Sequence, residues 1–288
     1  MLLTSILVTG LLAFEGTGPA LRTRLEPAAL QAQGSIARGQ TSQIAVAVPA
    51  DDALLVVNGE TVRGYGTSRS VETAPLAPGT HRYTFIVTWQ PNTYTTMTRS
   101  KTLEIRGGER VNVDLTADDP ADRVRVIYHP TPADVAKAMV DLAAVGPDDV
   151  VYEPGCGDAR ITTAAIRAGA RRGICIDIDP DRAFESKTNV ELAGLADRID
   201  VREGDALDVK DLSDVSVVFL YMGDHFNLLV RPVLWRELKV GSRIVSHRFT
   251  MGDWKPDRTV AVTSEEGGVF ELHLWTITDE IKKRLAPR

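Results

Sequence analysis

Three carboxylates follow three strand-like runs in the second half of this 288-residue chain, and together they could build one ligand site. Val150-Val151-Tyr152 leads into Glu153 and then Pro154-Gly155-Cys156-Gly157-Asp158. The two glycines let the backbone turn sharply and approach a ligand with no Cβ in the way. The acid before the first glycine, with Arg160 where a dinucleotide loop wants glycine or alanine, argues against a pyrophosphate cradle. A carboxylate there repels phosphate and suits a ligand that is cationic or rich in hydroxyls. Asp177 closes a second run, Gly173 to Ile176, twenty positions after Gly157, where an acid accepts hydrogen bonds from both hydroxyls of a ribose. Asp205 follows a third run, Ile199 to Glu203, where a carboxylate could accept from an adenine amino group. S-adenosylmethionine, with its ammonium, sulfonium and ribose, has the groups such a site would hold.

For three strand ends to meet, the runs must be neighbouring parallel strands joined by helices. Ile161 to Arg167 reads as a helix after the glycine turn. Val215 to Tyr221 is apolar on both faces, as a central parallel strand covered by helices should be. Phe226 to Leu238 follows as a helix with Leu229, Val233, Leu234 and Trp235 on one side, and Arg243 to Phe249 makes a fifth strand. Thr259 to Thr263 and Val269 to Thr276, joined by a short glycine-ended loop, read as an antiparallel hairpin. Upstream, Ala133 to Val145 carries Val135, Met139, Leu142 and Val145 at helical spacing. The expected fold is therefore α/β, a Rossmann-like doubly wound sheet with an antiparallel C-terminal hairpin.

With those motifs in place, residues of about 125 to 288 resemble the class I, seven-β-strand S-adenosylmethionine-dependent methyltransferases. The resemblance implies that Glu153, Gly155 and Gly157 hold the amino-acid end of the cofactor, Asp177 the ribose and Asp205 the adenine. The neighbours Ile178 and Ala206 complete that set. Where the family often has a third glycine this chain has Ala159, which implies a slightly tighter loop. His129-Pro130-Thr131-Pro132, Leu220-Tyr221-Met222 with Asn227, and Ile244 to His247 with Met251 to Trp254 resemble small lysine methyltransferases. In that group the segment before the first strand covers the cofactor, which brings Tyr128, Thr131 and Pro132 to the site. The residues alone leave another reading open, in which Thr131 caps the helix that begins with Pro132.

Methyl transfer to an amine is an in-line displacement, so the protein aligns the two reactants and excludes water, and needs no nucleophile of its own. A lysine acceptor must first lose a proton, helped by a nearby carboxylate or phenol or by an apolar channel that depresses its pKa. Tyr221, Asn227 and His247 are the residues proposed to act there, with Asp224 and His225 beside them; Trp254 is either a substrate wall or plain packing. A protein lysine is the expected acceptor. The alternatives are a small molecule methylated on nitrogen or oxygen, and a non-catalytic binding protein that keeps the fold as a scaffold.

The first half differs in kind. Residues 42–117 hold short runs rich in Val, Thr, Tyr and Ile, separated by Asn58-Gly59, Gly64 to Gly66, Pro75 to Gly79 and Gly107-Gly108, which predicts a small all-β sandwich or open barrel. Leu55 to Glu60 and Leu76 to His81 resemble PEGA-like surface modules of bacteria, and imply a binding or spacer role. Residues 118–127 would be the junction and 128–288 the enzyme. At the amino end, Leu2 to Phe14 is an apolar run of signal-peptide length, so residues 1–20 read as a signal-like or anchor segment and 21–41 as a linker, with export or membrane attachment favoured.

The net charge of −6 resides mostly in the second half, because residues 1–120 carry 10 basic and 11 acidic side chains. That acidity disfavours a nucleic-acid substrate and fits a basic protein or small amine. Cys156 and Cys175 read as buried free thiols, and the five histidines show no metal-ligand spacing.

Overall fold

The computed structural model describes residues 39–284. The signal-like segment and most of the linker expected at 21–41 lie outside them.

The first eight strands form two sheets around one core. β1 (Gln43–Ala47), β4 (Ser68–Glu72) and β7 (Arg110–Asp114) make one sheet in the order β4-β1-β7. The other, in the order β3-β2-β5-β6-β8, contains β2 (Leu54–Val57), β3 (Glu60–Val62), β5 (Thr80–Asn92), β6 (Thr95–Arg106) and β8 (Arg123–Val126). Alternating residues Ile44 and Val46, Leu55 and Val57, and Phe85 and Val87 point inward from both sheets. Asn58 and Gly59 both take positive φ, the two-residue turn whose twist matches a β-hairpin. The pairing is not wholly antiparallel: β7 returns after the long β5–β6 hairpin and fills the free edge of β1 in parallel.

From residue 133 the chain alternates helix and strand. α1 (Ala133–Leu142), β9 (Val150–Pro154), α2 (Arg160–Arg167), β10 (Arg172–Asp177), α3 (Pro180–Leu192) and β11 (Ile199–Glu203) lead to β12 (Val217–Leu220) and α4 (Asp224–Glu237). Then come β13 (Arg243–His247), β14 (Arg258–Thr263), β15 (Val269–Thr276) and α5 (Asp279–Lys283). They make one seven-stranded sheet, β11-β10-β9-β12-β13-β15-β14, parallel through β13 and antiparallel at β15 and β14. Successive residues of β9 face opposite cores: Val151 packs with α1 and α2, Tyr152 with α4 and α5. Burial on both faces is why the central strands β9, β10 and β12 are mostly apolar, while the edge strand β11 carries Asp200, Arg202 and Glu203. Strand order reverses between β9 and β12, and at such a switch point ligands bind beyond the carboxyl ends of the strands.

The two halves share a core. Met97 of β6 and Val124 of β8, with Trp89 and Val126 against them, belong to the same apolar cluster as Tyr152, Phe226 and Trp254. Beside that contact Arg99 makes a buried, bidentate ion pair with Asp122, its Nε donating to Oδ1 at 2.7 Å, while its Nη1 donates to the Leu115 carbonyl at 2.7 Å.

Two sequence expectations are corrected. Cys156 and Cys175 are not free thiols; they form a disulfide, with Cα atoms 5.6 Å apart. The glycine turn folds back onto β10, where Gly155 and Cys156 N–H groups both reach the Ile176 carbonyl, and this lays one cysteine over the other. Thr131 does not cap α1. Pro132 is the cap residue, without a side-chain bond, and the helix stops at Leu142, before Ala144 turns left-handed.

Candidate functional site

The loop after β9 is fixed from several sides before any ligand arrives. Gly157 N–H donates to Asp177 Oδ2 at 3.0 Å, joining the ends of β9 and β10. From α3, Ser186 donates to the Gly157 carbonyl at 2.8 Å and Asn189 to that of Asp158 at 3.2 Å. The disulfide adds a covalent tie. Gly155 and Gly157 sit at φ of 65° and 59°, where glycine is free and other residues are strained. A Cβ on Gly155 would lie 1.9 Å from the Met222 sulfur, and one on Gly157 2.2 Å from the Tyr128 ring. Ala159, fully buried, takes φ 64°, so the methyl group that replaces the third glycine is carried in a left-handed turn.

This loop floors a cavity of about 330 Å³. Of the residues expected at the cofactor, Tyr128, Thr131, Glu153, Gly155, Asp177 and Ile178 line it. Pro132, Gly157, Asp205 and Ala206 do not. Gly157 lies beneath the Tyr128 ring, and Asp205 turns to Arg123 of β8 at 3.4 Å while its Oδ1 accepts from Leu207 N–H at 2.9 Å. Asp158, Arg160, Arg182 and Met222 also line the cavity. Arg160 pairs with Asp158 and donates to the Thr131 carbonyl at 2.8 Å, and the Arg182 guanidinium lies 5.0 Å from the Tyr128 ring centre. The visible signal for the first pair was an acid and an arginine either side of Ala159. For Met222 it was the position directly after a strand end.

The electrostatics follow from burial. Glu153 accepts from the Thr162 N–H at 2.9 Å and hydroxyl at 2.6 Å, yet its desolvation dominates and pushes its pKa up to about 8. Burial also raises Asp177, against hydrogen bonds from the Asp179 and Gly157 N–H groups. Burial lowers His247 to about 4, so its ring is neutral at ordinary pH.

At the ends of β12 and β13, Tyr221 reaches the cavity and stacks on His247 with ring centres 3.9 Å apart. His247 and Asn227 are fully buried behind it. His247 Nδ1 contacts the Thr131 hydroxyl at 3.1 Å. The Asn227 amide donates to the carbonyls of Phe249 and Thr250 at 3.4 and 3.2 Å, and so holds the turn after β13. In that turn Arg248 is left-handed, at φ 69°, and Phe249 N–H bonds back to the His247 carbonyl at 2.8 Å. Asp224 accepts from Thr250 N–H at 3.0 Å. Trp254 packs between Trp235 and Trp275 in the core and takes no part in the cavity.

Acids at the ends of successive parallel strands, a glycine loop fixed between them and an antiparallel closing hairpin define the class I methyltransferase architecture. A family model described as the ANTKMT methyltransferase domain matches residues 153–258. A protein-lysine N-methyltransferase of Saccharolobus islandicus is 36% identical over 154 residues, covering 53% of this chain and 94% of that protein. The ribosomal protein L11 methyltransferase of Glaesserella parasuis is 36% identical over 96 residues, 33% of this chain and 31% of its own length. An RNA methyltransferase from Salinibacter ruber, solved with S-adenosyl-L-homocysteine, is 41% identical at a TM-score of 0.48, covering 52% of this chain and 95% of that one. The chain belongs to the class I S-adenosylmethionine-dependent methyltransferases.

The residues present fit that cofactor. Glu153 and Asp177 offer acceptors for an ammonium group and for ribose hydroxyls, Arg160 and Arg182 offer cations for a carboxylate, and the glycine floor keeps clear the space a Cβ would take.

Proposed function

We propose that this methyltransferase modifies the side-chain nitrogen of a protein lysine. The observation that carries the reading is a second cavity, of about 400 Å³, which shares Tyr128 and Tyr221 with the first and has no carboxylate in its lining. When bound, S-adenosylmethionine supplies a methyl group that an amine lone pair takes as the carbon–sulfur pair returns to sulfur. Only the unprotonated amine has that lone pair. Aromatic walls and the Arg248 guanidinium, with no acid to hold an ammonium, depress the amine's pKa and deliver it neutral. Tyr221 orients it, while neutral His247 and Asn227 keep Tyr221 and the Phe249 turn in position. The proton released after transfer leaves through the open mouth beside Ile127, which is 64% exposed.

The similarity to a protein-lysine N-methyltransferase supports this acceptor, and the acidic second half suits a basic protein surface. The test is incubation of the full chain with methyl-labelled cofactor and a lysine-rich protein mixture, followed by mass spectrometric mapping. Label on lysine Nζ supports the reading. Label confined to added small amines would replace it with the small-molecule alternative.

A further inference from the structure

We propose that the β module selects the acceptor: the tip of the β5–β6 hairpin, with Tyr94 foremost, is one wall of the acceptor pocket. The inference rests on the methyltransferase reading and assigns a specificity-determining residue to a part of the chain outside the transferase fold.

Tyr94 is held in place from several directions. Its carbonyl accepts from Ile127 N–H at 2.9 Å, and its own N–H donates to the Asn92 side chain at 3.0 Å. Its ring lies against Gly223, the residue that caps the start of α4, where a Cβ would be 3.5 Å from the ring edge. The ring packs directly on that of Phe249, with centres 5.6 Å apart, and Phe249 packs on Tyr221 at 5.8 Å, so the three rings form one continuous wall of the cavity. Two of these rings come from the transferase sheet and one from the β module. The left-handed Arg248 gives the Phe249 partner its place, so strain in one half is matched by a fixed hairpin in the other. Because Tyr128 and Tyr221 line both cavities, a side chain threaded past Tyr94 arrives at the cofactor.

The chemistry of the walls names the occupant. Tyr94, Phe249 and Val126 offer aromatic and aliphatic contact along the cavity, and Arg248 is its charged side chain. That lining favours a slender methylene stem ending in an uncharged amine, the side chain of a lysine on a protein segment that lies across the hairpin tip.

The test uses the full chain saturated with S-adenosylhomocysteine and the probe Nα-acetyl-L-lysine methylamide, read by saturation-transfer NMR at mildly alkaline pH, below the range in which tyrosine phenols ionise. The parent should transfer to the probe's side-chain methylenes. Tyr94→Ala should weaken probe binding about tenfold, the scale of a lost aromatic wall, and Tyr94→Phe should restore it. Thr93→Trp, at an exposed position on the same tip, should block the probe without removing a packed ring. Calorimetry of S-adenosylhomocysteine separates the readings. If the parent does not bind it, the cofactor site fails. If all variants bind it alike but Tyr94→Ala and Thr93→Trp still take up the probe like the parent, or the parent shows no transfer, the hairpin wall is overturned and the transferase stands.

Discussion

At the scale of single residues, the site depends on acids whose surroundings oppose their ionisation. Glu153 titrates near pH 4.5 in an unfolded chain and at about 8 here. Between those values the folded chain holds a proton that the unfolded chain has lost, so Glu153 lowers stability as pH rises through that window. An ammonium group beside it favours the ionised form. S-adenosylmethionine binding at pH near 7 should therefore release about one proton on account of Glu153, and Glu153→Gln should abolish that release, checked by calorimetry in buffers of different ionisation enthalpy. Asp177→Ala removes the acceptor that holds Gly157 and is expected to face the ribose. Losing charge-assisted hydrogen bonds of about 1.5–3 kcal/mol each should weaken S-adenosylhomocysteine binding at least about tenfold in a direct titration. The disulfide closes a loop of sequence separation 19, so reduction or Cys156→Ser should cost about 3 kcal/mol in a thermal melt, with reduced affinity because the bridge sits in the cofactor loop. A bridge there is what an oxidising compartment sustains.

At the scale of elements, strands buried on both faces announced themselves as unbroken apolar runs. β9, β10, β12 and most of β13 could be read for that reason, and the β14–β15 hairpin from its glycine-ended loop. Glu153 and Asp177 could be read because an acid following an apolar run marks a strand's carboxyl end. What the sequence hid depends on neighbours distant along the chain. β3 and β4 are short and largely exposed, so little hydrophobic patterning marked them. The disulfide needed the lateral alignment of β9 with β10. The fifth strand was expected to run to Phe249 and stops at His247, because Arg248 adopts a left-handed turn that Asn227 and the Glu271 carbonyl hold. Asn227→Ala should release that turn. It leaves the Phe249 and Thr250 carbonyls without their donor, a loss of about 1–3 kcal/mol in chemical denaturation, and should raise KM for the acceptor more than it changes cofactor affinity.

For the molecule as a whole, the β module is part of the enzyme's interior. β8 pairs with β6 from Thr95↔Val126 to Thr98↔Arg123, and Tyr128 follows two residues later to cover the glycine loop. The buried Arg99–Asp122 pair fixes the same seam, and its hydrogen bonding raises the Arg99 pKa further above its ordinary value. Asp122→Ala would strand a buried guanidinium and should cost about 3–5 kcal/mol by thermal or urea unfolding, with S-adenosylhomocysteine affinity falling alongside because β8 carries Tyr128. A surface linker between independent domains would give neither effect.

The ladder between β6 and β8 also bears on how such a protein can be inherited. A recombination point anywhere between Thr95 and Val126 parts strands that hydrogen-bond to each other, so a gene fragment beginning at the junction encodes a transferase with an unpaired edge and no aromatic hairpin tip. In this chain, separating module from transferase would leave that ladder without its partner. A foreign module could replace this one only by bringing its own partner strand for Arg123–Val126.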